Sequence, residues 1–238
     1  SSEQKNRRLY YGEIWIMLRP YEEKIETIKE EIVSIAALIV NANKHSVTAL
    51  KDNNLEAFKD ISLSIKKISN KSNEIDNMIV KTLALYSPEA RDLRQMVAFL
   101  KITNELVRAA SNTKSFLKGF RRSFSDELNA NAILEYIIPL QKASTTALSL
   151  TVEMIKETNE SAIEDNYNKV LVEESKTDDL YSMVEKNILK LIHKNLELSK
   201  DYFDLLSAFR KLEKTADRAA SIAKLIHFAH FGGEIEQS

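Results

Sequence analysis

The sequence predicts an all-α protein built as two tandem three-helix bundles, six long antiparallel helices in all. Three observations predict it. Only 4 Gly and 3 Pro occur among 238 residues, which leaves little of the turn punctuation that short-stranded β folds require. Apolar residues recur at three- and four-residue intervals nearly end to end, the mark of helices with one buried face. Breaks in that pattern are few, so each helix must be long.

The elements follow in order. Residues 1–16, with Arg7, Arg8, Tyr10, Tyr11 and Trp15, differ in texture from the rest of the chain. They lack the apolar core and small-residue cleavage site of a secretory signal. They are expected to be a flexible arm, a cloning remnant or upstream sequence outside the bundles. The first bundle is assigned to residues 17–122. Its first helix carries the stripe Ile25, Ile28, Ile32, Ile35 and Ile39 and stops at Asp52-Asn53-Asn54. The second ends at Ser87-Pro88, where proline suits the first turn of the next helix. The third shows Leu93, Met96, Val97, Leu100 and Val107 and ends within residues 119–125.

The second bundle is assigned to residues 123–238. In its opening helix Pro139 follows the apolar run 133–138 and must either start or kink a helix. After a break at 157–161, Leu180, Val184, Ile188 and Leu191 mark the next helix. Beyond a break near Ser199 come Leu205, Phe209, Leu212, Ala216 and Ala219. Helices of about 30 residues joined by short loops must lie antiparallel, three to a bundle.

Charge and composition exclude several functions. Lys and Arg number 34 against 35 Asp and Glu, a net charge of -1, so no field draws the chain onto nucleic acid or an anionic membrane. The absence of Cys removes disulfides, thiolate metal sites and thiol catalysis, and suits a reducing, cytoplasmic setting. The longest apolar run, residues 35–40, is far short of the roughly 20 residues a membrane helix needs. No phosphate-binding loop, dinucleotide fingerprint or nucleophile elbow is present.

The two halves look alike. Glu74-Ile75-Asp76-Asn77-Met78 precedes a helix carrying Leu106-Val107-Arg108-Ala109-Ala110-Ser111. Lys176-Thr177-Asp178-Asp179-Leu180 precedes one carrying Leu212-Glu213-Lys214-Thr215-Ala216-Asp217. Such duplication is an architectural signal. Two registers fit, because Arg108-Ala-Ala-Ser also matches Arg218-Ala-Ala-Ser one turn away. The register pairing Val107 with Glu213 is preferred.

Glu213 and Asp217 are four apart and share one side of a helix. Glu174 and Asp178 repeat that spacing on the helix before. Adjacent antiparallel helices could present all four carboxylates to one site, where like charges need a cation or a proton between them. An all-oxygen site suits Mg, Mn or Fe, and Zn less well. The plainer alternative is a solvated face, since 35 acidic residues on helices produce such pairs by chance. His227 and His230 read more simply as cations at a helix end beside Gly232-Gly233 than as ligands. His45 and His193 show no partner pattern. Lys114, Lys118, Arg121 and Arg122 form a basic segment able to meet an acidic partner, although loop cations are commonly just solvated.

The stretch from Leu83 through Leu85-Tyr86-Ser87-Pro88-Glu89-Ala90-Arg91 to Arg108 resembles the PhoU family of phosphate-uptake regulators. Residues 209–232 are similar to the same element in that family's second repeat, and the likeness extends over roughly residues 17–236. The resemblance implies two three-helix bundles whose acidic Glu/Asp-x-x-x-Asp motifs hold metal ions or clusters. By resemblance Glu174, Asp178, Glu213 and Asp217 are ligands for Fe, Mn, Mg or Zn. In the first repeat Ser72, Val107 and Ser111 stand where the family has acids, and only Asp76 remains. Val and Ser lack the hard anionic ligands a divalent cation needs, so one metal site at most is expected, in the second bundle.

The resemblance further implies a non-enzymatic negative regulator of phosphate uptake and phosphate-starvation signalling. It would act by contacts with the ATPase of a phosphate ABC transporter and a membrane sensor histidine kinase. It would meet the membrane only through those partners, with no nucleic acid or organic cofactor and with homodimer formation open. One alternative is the cytosolic PhoU-like domain of a sodium-phosphate cotransporter. Another is a carboxylate-bridged metalloenzyme, for which the usual Glu-x-x-His pairing is missing, since Thr177 and Ala216 follow Glu174 and Glu213 at that spacing.

Overall fold

The computed structural model describes residues 2–234, with side chains from Pro20 onward. Its helices are α1 (Ser2–Lys51), α2 (Ala57–Ser64), α3 (Ile68–Leu85), α4 (Ala90–Ser123), α5 (Ala130–Lys156), α6 (Glu160–Lys194) and α7 (Ser199–Phe231). A single 3-10 turn, Leu196–Leu198, leads into α7, and the described residues include no strand.

The helix ends are chemical. Asn53 closes α1 in the left-handed region at φ 51°. There the Asn54 N–H reaches back to the Ala49 carbonyl at 2.8 Å, a helix-ending pattern that asparagine tolerates. Asn129 and Asn159 begin α5 and α6 by accepting from the N–H of Ala132 at 3.1 Å and of Ala162 at 3.0 Å, filling donors a helix start leaves open. The second long stretch is interrupted: α2 stops at Ser64, whose hydroxyl donates to the Ile61 carbonyl at 2.5 Å, and α3 resumes at Ile68. A serine hydroxyl on a carbonyl competes with the helical ladder.

Two features left open by the sequence take a definite form. Pro139 starts nothing; it lies inside α5 on its exposed face, where water can serve the carbonyl that proline leaves without a donor. α1 runs through residues 2–16 without a break before the bundle begins; the side chains of those residues lie outside the described set.

α4 and α7, the third helices of the two repeats, make the most extensive pairing, and α1 also packs across the repeats onto α5. α4 and α7 are antiparallel. Gly119 faces Ala208 at one end and Arg94 meets Gly232 at the other, with Glu105 against Arg218 between. A side-chain Cβ at Gly119 would lie 3.0 Å from Ala208 Cβ, so the missing side chain permits this approach. Phe120 joins the halves: its ring centroid is 5.7 Å from Phe58, 5.9 Å from Phe116 and 5.9 Å from Phe209. Buried residues from both repeats form one continuous cluster.

Candidate functional site

α6 and α7 pack together along an acidic seam. At the core-facing side of each helix a threonine is fully buried: Thr177 donates to the Glu174 carbonyl at 2.6 Å and Thr215 to the Lys211 carbonyl at 2.8 Å. Each hydroxyl is thus satisfied within its own helix, and the residues one turn around project into the seam. There Glu174, Asp178 and Asp217 each offer an oxygen within 4.8 Å of the others. Asp178 is exposed and the other two are half-buried.

Glu213 completes the group. Its carboxyl is pushed up to about 7, first by burial and then by Asp178 and Asp217, with Arg210 opposing. Glu174 is likewise pushed up to about 7, by burial and then by Asp178 and Asp217. The four acids singled out in the sequence therefore lie along one seam, where burial and the neighbouring carboxylates favour the protonated form of Glu174 and Glu213. Tyr181 borders the same seam; its phenol is raised by burial first and then by Glu185, against Arg210. Neither Tyr181 nor Arg210 carries a motif that would flag it.

The equivalent place in the first repeat is built differently. Asp76 accepts a hydrogen bond from Thr103 Oγ1 at 2.5 Å, while Ser72 and Thr103 are buried. Asp76 thus meets Thr103 on α4 as Asp178 meets Glu213 on α7. That correspondence aligns Thr103 with Glu213 and Val107 with Asp217, one turn from the register preferred in the sequence, and it pairs Arg108 with Arg218. The cause is geometric: a four-residue shift keeps the same helix face inward, so the apolar stripe cannot distinguish the two registers. Asp76 has a neutral hydroxyl donor where Asp178 has other carboxylates.

The histidines lie apart from the acidic seam. His227 Nε2 is 2.8 Å from Glu164 Oε2, and its ring packs 4.5 Å from Tyr167 and 4.6 Å from Phe231. His230 is lowered by burial and then by Arg91 and Lys29. A cavity of about 630 Å³ runs between α4 and α7, past Lys101, Arg108 and Phe228 and beside Tyr167 of α6. At its edge Glu105 is held by both repeat-equivalent arginines, Arg218 at 2.9 Å and Arg108 at 3.2 Å. No periodicity or motif points to that pairing, which joins residues 113 apart in the chain.

Comparison with known proteins adds an independent line. The pattern of the PhoU domain matches the chain twice, over residues 32–118 and 141–226. The phosphate-specific transport system accessory protein PhoU homolog of Borreliella burgdorferi is 25% identical over 222 residues, 91% of this chain and 97% of that protein. The corresponding PhoU protein of Edwardsiella tarda is 20% identical over 224 residues, covering 90% of this chain and 88% of its own length. The crystal structure of the phosphate transport system regulatory protein PhoU from Streptococcus pneumoniae superposes with a TM-score of 0.76 at 17% identity, over 92% of this chain and 100% of that one. PhoU from Pseudomonas aeruginosa gives 0.72 at 18% identity, over 90% and 100%. These last two are likenesses of fold.

Proposed function

The chain belongs to the PhoU family, and from that premise we propose that it is an accessory regulator of phosphate transport whose second repeat holds a metal ion. The observation that carries the metal reading is the meeting of Glu174, Asp178 and Asp217 within 4.8 Å, with Glu213 beside them. The donor set fits a hard cation. Oxygens on opposite sides of a Mg-sized ion stand about 4.2 Å apart, and those of Glu174, Asp178 and Asp217 lie within 4.8 Å of one another. Burial and their neighbours disfavour the charged form of two of the acids, a cost that a bound cation would offset. Manganese, iron or magnesium suit four carboxylates better than zinc. The ion would supply a fixed positive charge that locks α6 to α7.

In this reading regulation works by protein contact and needs no catalytic group. The chain would restrain phosphate uptake and the starvation response when phosphate is plentiful, through the ATPase of a phosphate ABC transporter and a membrane sensor histidine kinase. No helix among the described residues is long and apolar enough to cross a membrane. The proposal puts the chain in the cytoplasm, at the membrane only through those partners, in keeping with relatives named as transport-system accessory proteins. Support comes from relatives named phosphate-specific transport accessory proteins and from a broad helical surface suited to docking.

Two experiments test the reading. Elemental analysis of the purified protein beside the Glu213→Ala, Asp217→Ala variant should find stoichiometric metal that the variant loses while far-ultraviolet helicity stays unchanged. Equal metal content in both proteins would reject the site. Deleting the gene should raise phosphate-responsive expression in high phosphate, and an unaltered response would reject the regulatory role.

A further inference from the structure

A second groove, of about 410 Å³, lies between α2 and the last turns of α4. Phe58 and Leu117, each 1% exposed, form its floor, and Leu63, 56% exposed, stands in its wall. Lys59 from α2 and Lys118, Arg121 and Arg122 from α4 surround it, and no carboxylate lines it. Among the described residues these four cations have no side-chain hydrogen bond or ion pair. The chain as a whole balances to a net charge of -1, so this is a local excess.

Cations at a helix end have an ordinary explanation, since α4 finishes at Ser123 and Arg121 and Arg122 occupy its last turn. That explanation does not reach Lys59, which belongs to another helix, nor the exposed Leu63 between the charges. An apolar trough between two helices with charged margins has the shape of a helix-binding groove. Its occupant must bring an apolar ridge for Leu63 and the floor, and negative charge for both margins.

We propose that this groove docks an amphipathic helix of another protein, one whose apolar ridge is flanked by Asp and Glu. The basic segment noted in the sequence is then half of a binding surface whose other half, Lys59 and Leu63, comes from α2. A planar anionic bilayer satisfies the charges but does not fill a concave trough, and a basic helix meets four uncompensated cations. The inference specifies a contact surface for the regulatory reading and rests on that reading only for the existence of a partner. Its test needs neither metal nor phosphate, so its failure would leave both experiments above untouched.

The test is fluorescence anisotropy with the full chain and a labelled helix-forming peptide of about five turns, carrying Leu at i, i+3, i+4 and i+7 with Glu on both flanks. A twin peptide carries Lys in place of Glu. The Glu peptide should bind at least about tenfold more tightly than its twin. The Lys118→Glu, Arg121→Glu, Arg122→Glu variant should lose about tenfold or more for the Glu peptide, and Leu63→Ser should weaken it with helicity intact. Equal affinity for the two peptides, or an unchanged charge-reversed variant, overturns the proposal. So does tighter binding to phosphatidylglycerol vesicles than to the Glu peptide, which would make the surface a membrane contact.

Discussion

Glu105 on α4 and Arg218 on α7 form an ion pair of 2.9 Å across the two repeats, with side chains 12% and 13% exposed. Arg108, the first-repeat counterpart of Arg218, holds the other oxygen of the same carboxylate at 3.2 Å but is itself 54% exposed. Removing Arg218 leaves the part-buried Glu105 carboxylate with only the exposed Arg108, whereas removing Arg108 leaves the part-buried pair intact. Arg218→Ala should therefore lower the unfolding free energy by about 1.5–3 kcal/mol, the range for a hydrogen bond to a charged group, and Arg108→Ala by less than about 1 kcal/mol. Urea midpoints at fixed m-value measure both, and equal losses would contradict the asymmetry.

Thr103 donates to Asp76 from a fully buried position. Thr103→Val keeps the shape and removes the donor, so it should cost about 1–2 kcal/mol by leaving a half-buried carboxylate short of a partner. Adding Asp76→Asn to Thr103→Val should recover part of that loss. Thermal unfolding of the single and double variants checks the coupling, and additive effects would argue against it.

Glu174 and Glu213 stand at about 7 in the folded chain against an ordinary 4.5. A carboxyl raised on folding binds its proton more tightly in the native state. Its stabilising contribution is complete below about pH 4.5 and is lost as pH rises through about 7. Chelator-treated protein should thus become less stable over that window. The Glu174→Gln, Glu213→Gln variant should match wild type near pH 4.5 and melt at a higher temperature at pH 8. Added manganese should raise the wild-type melting temperature at pH 8 and leave that of the variant unmoved.

Gly119 allows α4 to approach Ala208 on α7, where a Cβ would meet Ala208 Cβ at 3.0 Å. Alanine there gains about 1 kcal/mol of helix propensity, which offsets much of the crowding. Valine has no such compensation, and Gly119→Val should lose about 1–3 kcal/mol through overpacking. Ala208→Gly in the same chain should restore most of it, as measured by chemical denaturation.

The helical fold is readable because its signal is long-range and redundant: stripes such as Ile25 to Ile39 repeat the same inward face over several turns. The four acids of the second repeat can be named because an i, i+4 spacing fixes their side of a helix. How near they come depends on how α6 packs on α7, which spacing does not encode. The repeat register is illegible for a related reason, since sliding by a full turn keeps the apolar stripe on the same side of α4. The interruption at Ser64 carries no signal because serine and lysine are ordinary on an exposed helix face. Arg218 reads as one more surface cation, because its partner lies on a helix in the other half of the chain.

Phe120 touches Phe58 and Phe116 in its own repeat and Phe209 in the other, and the core runs unbroken through both. Two modules that share an interior lose their separate melting points. Heat absorption should trace one peak, with calorimetric and van't Hoff enthalpies in agreement. An ion bound between α6 and α7, as proposed, would then slow amide exchange in α1 and α3 as well. The first repeat, which keeps only Asp76 at the equivalent place, would sense the occupancy of the second through the energy needed to open both.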